Sequence, residues 1–442
     1  MSRAWFLVFL CVVGLRAPLA AQTGGIDARI VQLTQAVSED SLRKLVDRLA
    51  SFQTRHTLST TEDPARGIGA ARNWILEQMK GYSPRLQVDF DTYMTPARGR
   101  ITRDAEIRNV VAILPGQSPR RVYISGHYDT VARREEGDQT PEGSFDNVAP
   151  GANDDGSGTA LTMELARILA QSGLEFDATL VFMTIAAEEM GLVGARLHAQ
   201  QMHADSVRID AVLNNDIAGN SRGGNGVVDG WTVRVFSEGP EDSPSRQIAR
   251  YVRQQAAKYV PGQRVRLIAR EDRFGRGGDH TAFNQLGYAG VRITESKENY
   301  DRQHTARDTP DGVDVAYLAR NARVNAAAAA GIALAPPAPK VTNPRGDLTL
   351  SRLPSGYDAR LAWQASPGAV AYRIYWREAW GPDWQHDVLV GNVQEYVFEG
   401  LSIDDHIFGV AAISADGNES LVSVYTRPPR ANTPVEVIRR GG

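Results

Sequence analysis

The sequence predicts an α/β three-layer sandwich with a mixed, mostly parallel central sheet flanked by helices, followed by an all-β immunoglobulin-like sandwich. Three observations carry this reading. Between residues 108 and 334, short apolar runs alternate with stretches of helical periodicity, as strands joined by helical crossovers do. A proline-rich stretch, Ala335 to Pro339, interrupts the pattern and reads as a stiff linker over 336–340. Beyond it the apolar period drops to two, with turn signals such as Asp416-Gly417-Asn418 between the runs.

The elements follow in order. Ile30, Leu33, Val37 and then Leu42, Leu45, Val46, Leu49 recur at helical spacing, and a third helix covers Ile68 to Met79, stopping at Gly81. Leu86 to Phe90 and Arg108 to Leu114 read as strands, the second ended by Pro115-Gly116. Val122 to Ser125, Ala178 to Ile185, Ala211 to Leu213, Val233 to Phe236 and Gly290 to Thr294 are further strands. Thr159 to Leu169, Arg246 to Lys258 and the Ala-rich Val313 to Leu334 are helices between or after them. In the last part Leu348 and Leu350, Leu361 and Trp363, Tyr372, Ile374 and Trp376, and Phe408, Val410 and Ala412 alternate as strands do.

At 442 residues the chain is long enough for two or three domains, each with its own core. Arg3, the short apolar stretch Ala4 to Leu15 and the small residues Ala17, Ala20 and Ala21 read as a signal peptide over 1–21. The apolar run is shorter than the roughly 20 residues a spanning helix needs. The protein is therefore expected to be secreted or periplasmic. The one cysteine, Cys11, lies inside that signal, so the mature chain has neither disulfide nor thiolate ligand. With a net charge of −3 and no basic run, nothing points to a nucleic-acid or anionic-membrane partner, and no other apolar run could span a bilayer.

Chemistry enters at five places, each read as following a buried strand. In "YISGHYDT" (123–130), His127 offers a neutral imidazole to a metal and Asp129 accepts its other ring N–H. In "APGANDDGSG" (149–158), glycines permit a tight turn, and Asp154 and Asp155 open the following helix; one serves as N-cap and leaves the other for metal. "FMTIAAEEMGLVGA" (182–195) ends a strand on two adjacent acids. Neighbouring side chains point different ways, so Glu189 can bind metal while Glu188 handles a proton. "LNNDIAGN" (213–220) places Asp216 after a short strand, and "NYDRQHTARDT" (299–309) places His304 in a loop, with Asp308 to brace it or the next turn. Singly these have bland readings: a surface histidine, an N-cap, a helix start, a turn aspartate. The ordered set is the signal.

That set resembles the co-catalytic double-zinc aminopeptidase family, family twenty-eight of the metallopeptidases, over about residues 40–335. The resemblance implies two zinc ions in an exopeptidase domain spanning 22–335. His127 and Asp216 would hold one ion, Glu189 and His304 the other, and Asp154 would bridge them. Glu188 would be the general base and acid, and Asp129 the partner of His127. It also implies a cis bond between Asp154 and Asp155. "GRGGDHTAF" (275–283) matches a further family segment whose histidine, here His280, is not a ligand. One position departs: where some relatives carry a tyrosine beside the last ligand, this chain has Gln303, with Tyr300 nearby. The implied substrates are peptide or protein N-termini. A glutaminyl cyclase-like or carboxypeptidase-like chemistry on the same fold, or a non-catalytic receptor-like role, are the alternatives.

Residues 341–430 resemble a fibronectin type III domain, with Trp363 on the second strand, "GVAAISADGNES" as a late hairpin and Phe408 before it, and 431–442 form a tail. This part holds no catalytic cluster. It is expected to bind a surface or polymer, or to stabilise and space the enzyme.

Overall fold

A computed structural model describes residues 25–132 and 145–427. The expected signal peptide, Cys11 and the tail lie outside the described residues. No helix among those described is long and apolar enough to cross a membrane.

The first part runs α1 (Ala28–Gln35), α2 (Glu39–Ser51), α3 (Gly67–Tyr82), β1 (Gln87–Thr95), β2 (Ala105–Leu114), β3 (Ser118–His127), α4 (Gly156–Gln171), β4 (Ala178–Ile185), α5 (Val193–Ala204), β5 (Ile209–Asn215), β6 (Thr232–Ser237), α6 (Pro244–Tyr259), β7 (Arg264–Ile268), α7 (Asp279–Asn284), β8 (Gly290–Glu295) and α8 (Val315–Leu334). Local chemistry sets the ends. Ser38 caps α2 through the Ser41 N–H, acids occupy its first turn and Arg48 its last, and Leu42, Leu45, Val46 and Leu49 form its buried stripe. The eight strands form one sheet in the order β1-β2-β4-β3-β5-β8-β6-β7. β3 pairs parallel with β4 and β5, β5 with β8, and β6 with β7; β1, β2 and the β6–β8 contact are antiparallel.

The central strands are buried on both faces, which explains their unbroken apolar runs. Val122, Ile124, Leu180, Phe182 and Leu213 face the main core under α4, α8 and the N-terminal helices. Their neighbours Tyr123, Val181, Met183 and Val212 face the second layer of α5 and α7. The alternation is the three-layer sandwich in cross-section. α5, β7 and α7 carried no sequence expectation: α7 is six mostly polar residues, and β7 is an edge strand in which arginines alternate with apolar residues.

The second part adds β9 (Leu350–Arg352), β10 (Ala359–Ala362), β11 (Ala371–Glu378), β12 (His386–Val390), β13 (Glu395–Phe398), β14 (His406–Ile413) and β15 (Ser423–Val424). They form antiparallel sheets β13-β10-β9 and β12-β11-β14-β15 around Leu361, Trp363, Tyr372, Ile374, Phe408 and Val410. The period-two residues face this core as expected. Their alternates on β11, Arg373, Tyr375 and Arg377, point outward, and Arg377 turns into the first part of the chain.

This sandwich does not hang from a free linker. Ala335, Pro336 and Pro339 are buried, and the Ala335 carbonyl accepts a short hydrogen bond from Arg120. The sandwich seats on α6 and the loop before it, at the end of the sheet away from the carboxyl ends of β3, β5 and β8. Arg377 is nearly inaccessible and reaches both Asp242 oxygens, at 2.7 and 2.8 Å. Arg253 pairs with Asp383 at 2.7 Å, Trp384 Nε1 donates to Gln247 at 3.2 Å, and Asn418 donates to Asp27 at 2.9 Å. Removing the guanidinium leaves Asp242 with only Arg250, at 4.0 Å, as a charged partner among the described residues. Arg377→Ala is expected to cost roughly 2–3 kcal/mol. Thermal unfolding of the full chain checks this; an unchanged midpoint would show the two parts to be independent.

Candidate active site

Four of the site segments leave the carboxyl ends of β3, β4, β5 and β8, where ligands collect in sheets of this kind. His127 is the last residue of β3, Glu188 and Glu189 follow β4, and Asp216 follows β5. Two expectations need correction. Asp154 does not follow a strand; it sits at the start of α4, so a helix end rather than a strand end delivers it. His304 stands nine residues beyond the end of β8, on a loop with room to fold back.

Asp155 is the organiser. It caps α4 by accepting the Gly158 N–H at 2.8 Å, and it also accepts the backbone N–H groups of His127 at 3.0 Å and Ile217 at 3.0 Å. One carboxylate thus locks the ends of α4, β3 and β5 together. The helix enters so closely that a Cβ at Gly158 would lie 2.2 Å from the Asn215 carbonyl oxygen, so only glycine fits. Asp308 accepts the N–H groups of Asn153 at 3.0 Å and Asp154 at 2.9 Å, bracing this turn rather than the His304 loop. The Asp154–Asp155 bond is cis.

The side chains converge. His127 Nε2 lies 3.4 Å from Asp154 Oδ1 and 3.8 Å from Asp216 Oδ1. His304 Nε2 lies 3.2 Å from Asp154 Oδ2 and 2.9 Å from Glu189 Oε1. The two oxygens of Asp154 therefore face two different imidazole–carboxylate pairs. Glu188 joins them: its ligand atom lies within 4.8 Å of those of His127 and Asp216.

Asp129 does two jobs. The His127 Nδ1 is 3.2 Å from the Asp129 carbonyl and 3.6 Å from its carboxylate, so the backbone is the nearer partner of the ring. The carboxylate instead accepts the N–H groups of Glu188 at 3.0 Å and Glu189 at 3.2 Å, fixing where both acids stand. Non-glycine residues with left-handed backbone gather here: Ala187 at φ 59°, Ile217 at 51° and His304 at 56°.

The electrostatics ask for cations. Burial, and then the charges of Glu189, Asp216 and Asp279, push the Glu188 carboxyl well above its ordinary range. Asp279, fully buried with no hydrogen-bond partner for either oxygen among the described residues, is pushed up to about 8 by burial and by Asp129 and Asp216. Burial would also raise Asp154, but the imidazoles of His127 and His304 overcome it and hold the carboxylate well below that range. Arg292, fully buried, offsets one charge by pairing with Asp216 at 2.7 Å. A tetrahedral zinc site has donor–donor edges of about 3.3 Å. The spacings at Asp154 bracket that length, and the donors are the nitrogen and oxygen set zinc takes, so the residues fit a pair of such ions.

Sequence reasoning missed Arg55, Asp279 and Arg292. Arg55 is wholly buried and donates to the carbonyls of Tyr128 at 2.6 Å, Leu49 at 2.9 Å, Pro150 at 2.5 Å and Gly151 at 2.9 Å, tying α2 to the site loops. Nothing local distinguishes it from a surface arginine. Asp279 lay inside the "GRGGDHTAF" match, which was the available signal. The neighbouring His280 meets the Glu271 carbonyl at 2.9 Å and stays away from the ligands. Gln303 is buried with its amide unpaired among the described residues, while Tyr300 is exposed.

The profile of Peptidase family M28 matches residues 109–329. A protein of Pyricularia oryzae named a probable zinc metalloprotease is 38% identical over 89% of this chain and 84% of its own length. The chain belongs to peptidase family M28. A probable zinc metalloprotease of Leptosphaeria maculans is 36% identical over 91% of this chain and 97% of its own. Among solved structures, the Legionella pneumophila LapA aminopeptidase superposes with a TM-score of 0.54 at 20% identity, covering 70% of this chain and 75% of that one. Porphyromonas gingivalis glutaminyl cyclase gives 0.53 at 20%, covering 66% and 96%. At that identity both speak for the fold alone, and the two solved neighbours carry different names, an aminopeptidase and a glutaminyl cyclase.

Proposed function

We propose that this M28 peptidase is an exported, zinc-dependent aminopeptidase that removes single residues from peptide N-termini. The observation that carries the reading is the pairing of two imidazole–carboxylate sets across the two oxygens of Asp154, with Glu188 beside them. His127 and Asp216 would hold one zinc, Glu189 and His304 the other, and Asp154 both. When bound, the ions supply the Lewis acidity that activates water and polarises the scissile carbonyl. Glu188 accepts the proton of the attacking water and returns it to the leaving amine. Asp129 keeps Glu188 and Glu189 in place through their backbone N–H groups and helps turn the His127 ring. The surplus of buried carboxylates suits a protonated α-amine. Export rests on the signal-like residues 1–21.

Aminoacyl chromogenic substrates with free and with acetylated amines test the proposal. Hydrolysis of the free form only, abolished by chelator and restored by zinc, is expected. Equal cleavage of the acetylated form would refute exopeptidase action. Cyclisation of N-terminal glutaminyl peptides in its place would move the protein to the cyclase chemistry of the second structural neighbour.

A further inference from the structure

Beside the cation site lies a groove of about 600 Å³ between the loop that follows Asp216 and the loop that carries His304. Arg222 and Gly224 stand on one wall, and Asn299, Asp301, Arg302 and Arg307 on the other. Both walls belong to connections leaving the carboxyl ends of β5 and β8, so the groove opens on the catalytic face. It is also close to the ligands. Arg302 stands two residues before His304, so their Cα atoms are at most about 7.6 Å apart.

Both walls are held. Gly223 N–H donates to Val227 at 2.9 Å and Gly226 N–H to Gly223 at 2.9 Å, closing a tight hairpin. Arg302 pairs with Asp311 at 2.7 Å, and Arg307 donates to the Asp301 carbonyl at 2.9 Å. With Arg302 taken up by Asp311, two guanidinium groups, those of Arg222 and Arg307, have no acid within salt-bridge distance among the described residues. The one carboxylate in the groove, Asp301, is turned to the Gly224 backbone: its Oδ2 would lie 2.8 Å from a Cβ there. A cationic channel thus flanks a centre crowded with carboxylates, on a chain whose net charge is −3.

We infer that this groove takes the substrate beyond the scissile bond and selects peptides with acidic side chains at the second to fourth positions. The inference rests on the aminopeptidase reading. The free α-amine would sit among the acids of the centre, and the acidic stretch would run along Arg222 and Arg307. Opposite charges at the two ends of the substrate would then set its direction.

The test uses the zinc-loaded full chain and free-amine peptides alike at the first residue, with Glu, Ala or Lys at positions two to four. Each also carries a C-terminal fluorophore, so that binding is read by anisotropy without turnover. Two exposed charge pairs predict roughly a tenfold higher kcat/KM for the Glu peptide over the Lys peptide, mostly in KM and weakened by salt. R222E with R307E is expected to invert the order, and R222K with R307K to keep it, which a merely structural role would not do. Equal binding and turnover of all three peptides, or a preference that survives the double charge reversal, overturns the inference. If no peptide is hydrolysed, the aminopeptidase reading fails, and anisotropy alone decides the groove: tighter Glu-peptide binding upholds it and equal binding ends it.

Discussion

Replacing Glu188 by glutamine is expected to abolish hydrolysis, by about a thousandfold or more, while zinc content is unchanged. Glutamine has the same shape and keeps the burial. Its backbone N–H still meets Asp129, as it does at 3.0 Å now, so Glu189 is not displaced. What would be lost is the carboxyl that the proposed mechanism makes the proton carrier. Burial and the charges of Glu189, Asp216 and Asp279 already favour a proton on Glu188, so a neutral amide there mimics the favoured form. Thermal stability of the metal-free variant should therefore match or exceed that of the parent. Metal analysis with kinetics decides the matter: activity within tenfold of the parent, with full zinc content, would remove Glu188 from the mechanism.

Stripping the metals is expected to destabilise the protein more at pH 8 than at pH 5. In the empty site most of the ionisable groups have raised pKa values. Asp308 is pushed up to about 7 by burial, and Asp279 to about 8 by burial and its acidic neighbours. Burial would lower the His304 imidazole, but Asp154 and Glu189 raise it to about 10. A raised group stabilises fully below its unfolded pKa and loses that contribution as pH climbs through the folded value. The unfolded values are about 4 for the acids and 6.5 for histidine. Metal-free stability should therefore decline from about pH 4 towards pH 10. Asp154 and Asp216 act the other way, but only at pH values below the ordinary carboxylate range. Bound cations replace these protons, so binding releases them and strengthens as pH rises. Saturating metal is worth roughly 3–4 kcal/mol at a hundred to a thousand times Kd. The gap in Tm between loaded and stripped protein should thus widen by several degrees between pH 5 and pH 8. A gap that stays constant or narrows would mean that the cluster is not a metal site.

Legibility followed burial and period. β4 runs from Ala178 to Ile185 as read, because eight consecutive mostly apolar residues, too few for a buried helix, suit a strand covered on both faces. The helices with a wide apolar stripe, α2 and α6, were found for the same reason. Short elements whose identity depends on what covers them were not: α7 has too few apolar residues to show a period, and β7 is half solvent-facing. In the site, the candidate ligands were legible only as an ordered set, because metal donors are few in type while each residue alone had a bland reading. Arg55 and Arg292 were opaque in role because a buried arginine looks, in sequence, like its surface counterpart; Asp308 was read as a brace, but not as the brace of the distant Asn153–Asp154 turn.

By itself, then, the sequence determined the layer order, the sandwich that follows, the cluster of His127, Asp154, Glu188, Glu189, Asp216 and His304 as candidate chemistry, and the kind of ion those donors suit. These depend on residue type and near-neighbour spacing, which the chain carries explicitly. Tertiary structure alone decided that Asp154 divides its two oxygens between two imidazoles and that Asp155 binds three backbones into one frame. It also decided that Asp129 steadies the acids more closely than the ring, and that the second sandwich is docked through Arg377 rather than tethered. Those are distances between residues tens to hundreds of positions apart, set by how the helices press on the sheet, and no local pattern encodes them.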